Sequence, residues 1–238
     1  MIFALHGFLG SASEWDELKK KATGQDWIIP SLFENFKWPA PMTFESVVRK
    51  IRDDYFLSSM LTNSDDTKTF VGYSLGGRLG LCWLELFPND FDQWFFVSTN
   101  PGLKTESEKS DRRIADQDWA LKLRELDQSN FLIQWNTQTV FAGTAKSSSP
   151  IDQWNKTILI DALLNLSLAE QKDFSDVLKT HQEKVHWVVG QQDQKFLDIA
   201  LKLKKDVKIQ HLHILLGGHR IHLDQPKPLG ILIARSIK

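Results

Sequence analysis

Short apolar runs alternate with amphipathic stretches along most of this chain, and the alternation predicts a parallel sheet covered by helices on both faces. Ile2 to Leu5 and Trp27-Ile28-Ile29-Pro30 read as short buried strands. Between them, Ser13 is the expected N-cap of a helix with Glu14, Asp16 and Glu17 at its start. A Pro-rich connection, Trp38-Pro39-Ala40-Pro41, leads to Thr43, the expected cap of a long amphipathic helix. That helix places Phe44, Val47, Val48, Ile51, Tyr55 and Phe56 on one side. Thr69 to Val71 are β-formers, and Leu79, Leu81, Cys82, Trp83, Leu84 and Leu86 then recur at helical spacing up to Pro88. Trp94 to Ser98 reads as the next strand, ending in Thr99-Asn100-Pro101-Gly102.

From Lys104 to His181 the pattern changes to helical stretches rich in Trp and Leu, with no convincing strand. Trp119, Leu121 and Leu123 belong to one, Phe131, Leu132 and Trp135 to another, and Ile158 to Leu166 to a third. Alternation resumes with the strand Val185 to Gly190, a helix from about Phe196 to Leu203, a strand from Lys208 to Leu216 and a helix from Pro228. The expected organisation is therefore an α/β core of residues 1–103 and 182–238, with 104–181 inserted as a helical lid over the strand ends. The only low-complexity tract is Ser147-Ser148-Ser149.

Composition narrows the classes. At 238 residues, with 42% hydrophobic and 25% charged positions, the chain can bury a sizeable core as one domain. A formal net charge of −1 provides no field to attract nucleic acid, so any anion preference must come from local placement. The single cysteine, Cys82, excludes an internal disulfide and a cysteine-based metal cluster, and its apolar neighbours suggest a packed thiol. No run approaches the roughly 20 apolar residues of a membrane span. The apolar start, Met1 to Leu5, lacks a basic n-region and reaches His6-Gly7 at once. It is not read as a signal peptide, and the expected location is cytoplasmic.

Chemistry enters at Gly72-Tyr73-Ser74-Leu75-Gly76, a G-x-S-x-G between a strand and a helix. That context makes it a nucleophile elbow, with Ser74 held in a strained turn at the apex. A serine needs a base, and the base an orienting acid, which in this fold class follow in the order Ser, Asp or Glu, His. Asp193 follows the strand ending at Val189, and His219 follows the one ending near Leu216, so Ser74, Asp193 and His219 leave the same edge of a parallel sheet. His219 is favoured over His222 because it directly follows a Gly pair in a strand-end loop. His219, His222 and Asp224 lack the spacing that would argue for a metal, and no metal or cofactor is expected. His211 and His213 share one face of a strand near the sheet edge. The expected oxyanion donors are the N–H of Leu75, after the nucleophile, and that of Phe8 in the His-Gly loop.

Together these pieces resemble the α/β-hydrolase superfamily, over nearly the whole chain. Within it, five segments resemble 2-succinyl-6-hydroxy-2,4-cyclohexadiene-1-carboxylate synthases of menaquinone biosynthesis: Leu5 to Ser11, Gly72 to Arg78, Asn100 to Glu106, Gly190 to Phe196, and Gly218 to His222. The first and last are common to many hydrolases; Arg78, the Pro-Gly-Leu segment and Asp193-Gln194-Lys195-Phe196 are more particular. The resemblance implies a lyase that eliminates pyruvate from a small polycarboxylated cyclohexene. Arg78, Lys195 and a lid arginine would hold its carboxylates, Arg112 preferred over Arg113, while Tyr73 and Trp135 line the pocket. In the implied mechanism His219, oriented by Asp193, lets Ser74 abstract a proton without an acyl-enzyme. Around Ile151 to Asn155 the family often has a further arginine that this chain lacks, with Lys156 as a substitute. The alternatives are a serine carboxylesterase or C–C hydrolase with the same triad, and a non-catalytic binding module.

Overall fold

The computed structural model describes residues 1–22, 24–60, 67–144 and 155–236 of the chain. The tract Ser147-Ser148-Ser149 and positions 151–154, where the resemblance places a further arginine, lie outside the described residues.

Six strands form the sheet: β1 (Ile2–Leu5), β2 (Trp27–Ile28), β3 (Thr69–Tyr73), β4 (Gln93–Val97), β5 (Val185–Gly190) and β6 (His211–Leu215). Their order is β2-β1-β3-β4-β5-β6, and every pairing is parallel. The helices are α1 (Asp16–Lys19), α2 (Phe44–Ile51), α3 (Leu57–Met60), α4 (Leu75–Leu86), α5 (Glu106–Glu125), α6 (Gln128–Asn136), α7 (Lys156–Asn165), α8 (Ser175–Thr180), α9 (Gln194–Asp206), α10 (Ile221–Asp224) and α11 (Pro226–Ser236).

The period-2 geometry of the strands splits their apolar residues between two layers. Phe3, Phe70, Trp94 and Phe96 face α2 and α4, where Phe56, Trp83 and Phe91 pack edge-on or tilted against them. Ile2, Ala4, Val71, Phe95 and Val97 face the other way, towards Trp15, Leu18, Leu229 and Ile233. Burial on both faces explains why these strands read as continuous apolar runs rather than alternating ones.

Several boundaries differ from the sequence expectation. Ser13 is not the first cap: Ser11, with extended backbone, precedes a 3₁₀ turn over Ala12–Trp15, and Ser13 lies inside that turn with its hydroxyl 2.8 Å from that of Ser11. Thr43 does cap α2, in a reciprocal box with Ser46, but the expected long helix changes to a π turn at Arg52–Phe56 before α3. The edge strand β2 stops at Ile28, ahead of Pro30, which has no N–H to donate. β6 begins at His211, because Lys208 takes a left-handed φ of 62° that an extended strand excludes. Cys82 is buried, and burial pushes its thiol up to about 12.

The described residues of 104–181 hold no strand. Helix α5 opens with a Thr105–Glu108 capping box, and α5, α6, the 3₁₀ turn Thr139–Phe141 and α7 all line a cavity facing the strand ends. Helix α8 instead packs Leu178 into the layer beneath α4. Among the described residues no helix is long and apolar enough to cross a membrane, and no group of His, Cys, Asp or Glu could hold a metal ion.

Candidate active site

Ser74 occupies the turn between β3 and α4 with φ 50° and ψ −108°, a backbone region that costs a non-glycine residue on the order of 1–3 kcal/mol. The neighbouring structure imposes it. Ser74 N–H donates to the Val97 carbonyl at 3.0 Å, and its own carbonyl accepts the Arg78 N–H at 3.0 Å. A Cβ on Gly72 would lie 2.7 Å from Gly76 O and Gly77 Cα, so strand and helix meet this closely only without a side chain there.

Asp193 and His219 are brought together by lacing between the loops after β5 and β6. The N–H groups of Gln191 and Gln192 donate to the carbonyls of Leu215 and Gly217, each at 2.8 Å. Asp193 also caps α9, accepting from Phe196 N–H at 3.4 Å. Its other oxygen accepts from His219 Nδ1 at 2.6 Å, with both side chains buried. A carboxylate only accepts, so Nδ1 carries the proton and Nε2 is left as the basic nitrogen. Burial holds the His219 pKa below its ordinary value, against the raising effect of Asp193, so the ring is neutral at rest. Ser74 and His219 line the same cavity, and no hydrogen bond joins them.

Both residues expected to supply the oxyanion donors line the cavity with the serine. Leu75 opens α4, so its N–H has no partner four residues back, and Phe8 borders the same cavity. The Phe8 loop is pinned by His6, whose Nε2 accepts from Leu32 N–H at 2.9 Å while Nδ1 donates to Gly7 O at 2.9 Å.

The cavity measures about 660 Å³. Three cations border it: Arg78 from α4, Arg112 from α5 and Lys195 from the first turn of α9. Arg78 donates through Nη1 to the Leu166 carbonyl at 2.7 Å and lies over the Phe44 ring. Among the described residues no carboxylate pairs with it. Burial first, and then repulsion from Arg112, bring its pKa down to about 9, still well above neutrality. Lys195 is lowered by the same two causes, in the same order. Arg112 is held side-on by Asp116, Nε to Oδ2 at 2.7 Å and Nη2 to Oδ1 at 2.6 Å. Trp135 closes the cavity from α6, stacked on Phe131 and tilted against Phe8.

Nine of the ten residues singled out in the sequence thus line one cavity: Phe8, Ser74, Leu75, Arg78, Arg112, Trp135, Asp193, Lys195 and His219. Tyr73 does not. Its ring is tilted against His222 at 4.1 Å and His219 at 5.6 Å, and it borders an adjoining chamber of about 50 Å³ that shares Phe8, Ser74 and Trp135 with the main cavity. Arg113 also faces elsewhere, pairing with Glu170 at 2.8 Å beside a second cavity. His222 is buried against Trp15 and Tyr73, 3.7 Å from Glu14, and does not reach the main cavity. Lys156, the suggested substitute for a lid arginine, does not line the main cavity; its ammonium bonds to the Leu126 carbonyl just past the end of α5. His211 and His213 do lie on the edge strand, with His213 3.1 Å from His186.

Sequence reasoning missed Ser98 and Asp116. Ser98, at the end of β4, has φ 46° and a buried hydroxyl with no partner among the described residues, bordering the cavity. Its positive φ leaves no mark in the sequence. Asp116 carried a weak signal, an Arg–Asp pair at i, i+4, which on a polar helix resembles an ordinary surface pair.

An elbow serine, an acid and a base beyond the ends of three strands of one parallel sheet define a class, and the chain belongs to the α/β-hydrolase-fold family, whose model matches residues 1–226. More particularly, it is similar to the 2-succinyl-6-hydroxy-2,4-cyclohexadiene-1-carboxylate synthase of Enterobacter sp. (strain 638), 26% identical over 240 residues spanning 98% of this chain and 90% of that protein. The synthase of the same name from Salmonella agona (strain SL483) is also 26% identical over 240 residues, covering 93% of this chain and 87% of the relative. Among solved structures, MenH from S. aureus superposes with a TM-score of 0.80 at 21% identity, covering 98% of this chain and 91% of that one. An esterase from Exiguobacterium antarcticum superposes with a TM-score of 0.73 at 14% identity, covering 99% and 91%. At those identities the two structures speak for the fold alone.

Proposed function

We propose that this chain is a carbon–oxygen lyase of menaquinone biosynthesis, a 2-succinyl-6-hydroxy-2,4-cyclohexadiene-1-carboxylate synthase like the relatives so named, eliminating pyruvate from a polycarboxylated cyclohexene. The observation that carries the reading is Arg78, a half-buried guanidinium with no carboxylate partner among the described residues, in a cavity it shares with Arg112, Lys195 and Ser74. Burying a cation is costly unless an anion meets it, and a neutral ester gives Arg78 nothing to pair with. A substrate with several carboxylates offsets that cost on binding.

In this reading the helices from α5 to α7 form a lid over the strand ends. Neutral His219, oriented by Asp193, accepts the Ser74 proton through Nε2 once substrate fills the cavity and tightens their contact. The serine oxygen draws a proton from the substrate ring, the freed electron pair forms a ring double bond as the carbon–oxygen bond breaks, and the three-carbon unit departs as an enolate that becomes pyruvate on taking the proton held by His219. Charge that develops on the substrate is met by the N–H groups of Phe8 and Leu75. Nothing in these steps calls on a cofactor, and a cytoplasmic location belongs to the same reading.

The test follows pyruvate release and the cyclohexadiene chromophore from the enzymatically prepared intermediate, for the wild type and Ser74→Ala. Fast release that the substitution suppresses supports the lyase. Absence of release, together with Ser74-dependent hydrolysis of a short p-nitrophenyl ester, overturns it in favour of a hydrolase.

A further inference from the structure

Arg112 and Asp116 are separated by one turn of α5, yet they are not a solvated surface pair. Asp116 is 2% exposed, and both of its oxygens are engaged by the guanidinium in a side-on fork. The fork fixes the plane of the guanidinium as well as its position, because two parallel N–H···O bonds leave little rotational freedom. Arg112 lines the main cavity, whereas Asp116 does not; Asp116 borders a second cavity of about 730 Å³ that holds no triad residue. The carboxylate therefore stands behind the arginine, on the side away from Ser74 and His219.

We infer that Asp116 is a positioning residue for substrate binding, holding Arg112 from behind so that its remaining N–H donors face the carboxylates of the substrate. This inference rests on the proposed anionic substrate. Asp116 has a second effect on the same group of charges. Arg78 and Lys195 are both lowered by Arg112, and Asp116 is the acid that acts on Arg78 in the opposite sense. Arg112 without its counter-ion would still be attracted to a substrate, but it would be free to rotate and would repel its two neighbours more strongly. Neither change alters Ser74, His219 or Asp193, so the expected loss falls on binding.

The experiment measures pyruvate release as separate kcat and KM for the wild type, Asp116→Asn, Asp116→Glu, Arg112→Ala and the Arg112→Ala/Asp116→Asn double variant. Asp116→Asn should raise KM about tenfold with kcat within about threefold, the pattern of a lost uniform binding interaction. Asp116→Glu, which keeps the charge, should recover part of that loss. Adding Asp116→Asn to Arg112→Ala should raise KM by less than about twofold, because the residue being positioned is already gone. A merely structural role predicts lower kcat from a smaller active fraction, unchanged KM, and additive effects in the double variant; any of these overturns the inference. If the wild type releases no pyruvate, the lyase reading fails separately. The same variants are then compared by succinate inhibition of Ser74-dependent ester turnover, where Asp116→Asn should weaken inhibition about tenfold. Equal inhibition of wild type and variant, or none of either, overturns the positioning role.

Discussion

The sheet side of the cavity holds Asp193 and His219 at 5% and 3% exposure, on loops laced to one another and capped into α9. The helical side holds Arg112 on α5, whose surface also shows Ile114 at 57% exposure, and Trp135 on α6, beside Ile133 at 64%. On the first side each side chain is fixed by several independent constraints, and removing one disturbs its neighbours. On the second, long side chains face the cavity from helices whose outer surfaces are exposed. Reaction and selection can therefore change separately in this architecture: a frame that supports many chemistries needs only a different set of side chains above it.

Substitutions can break that contrast, the most damaging first. Ser74→Ala should lower kcat for pyruvate release by about 10⁴-fold at unchanged KM, read by steady-state kinetics. A small loss would remove the serine from the chemistry. Trp83→Ala, which empties the aromatic layer around Phe3, Phe56 and Phe91, should cost about 3–5 kcal/mol in urea unfolding. Ile133→Ala on α6 should change stability by no more than about 0.5 kcal/mol. Comparable losses at both sites would dissolve the distinction between an over-determined layer and a lightly held one. Lys195→Ala, removing one of three cations, should raise KM about fivefold while leaving kcat nearly intact, since the residue sits on the exposed rim of the cavity and its ammonium is only partly desolvated.

The smallest effect is in the pH response, and its sign is fixed by burial. His6, His186 and His219 all have pKa values lowered chiefly by burial, His186 to about 3. The unfolded chain, with ordinary histidines near 6.5, binds more protons in that interval, so stability falls as pH drops below 6.5 and continues to fall towards about 3. Chemical unfolding at a series of pH values should show that slope. For the same reason kcat/KM should stay flat from neutrality through 6.5 and decline only below it, because His219 acts in its neutral form. A rate that already falls at 6.5 would mean that Asp193, rather than burial, sets the proton affinity of the ring.

The legible part of the molecule was the part governed by local rules. Ser74, Asp193 and His219 each follow a strand, and parallel strands put their ends on one edge, so order along the chain was enough to assemble them. Face was less legible than position. Tyr73 adjoins Ser74 in sequence, but strand alternation puts its ring with Val71 in the layer below, against His222 and beside the small chamber at Ser74 rather than in the main cavity. Ser11 and Ser13 are equivalent as letters, and only the 3₁₀ turn decides which precedes the helix. The start of β6 depended on a left-handed Lys208, a conformation that lysine does not advertise. Asp116 left only the weak signal of an i, i+4 pair, because burial comes from elements far away in sequence, among them α7 packed along α5.

The measurement that tests the account most directly is kcat/KM of the wild type and Arg78→Ala on two substrates, the polycarboxylated intermediate and a neutral p-nitrophenyl ester. If Arg78 waits for a carboxylate, the substitution should lower kcat/KM for the intermediate about 100-fold and leave the ester rate within a few-fold. Equal losses on both substrates would contradict it, showing that the guanidinium supports the fold around Leu166 rather than the charge of the ligand.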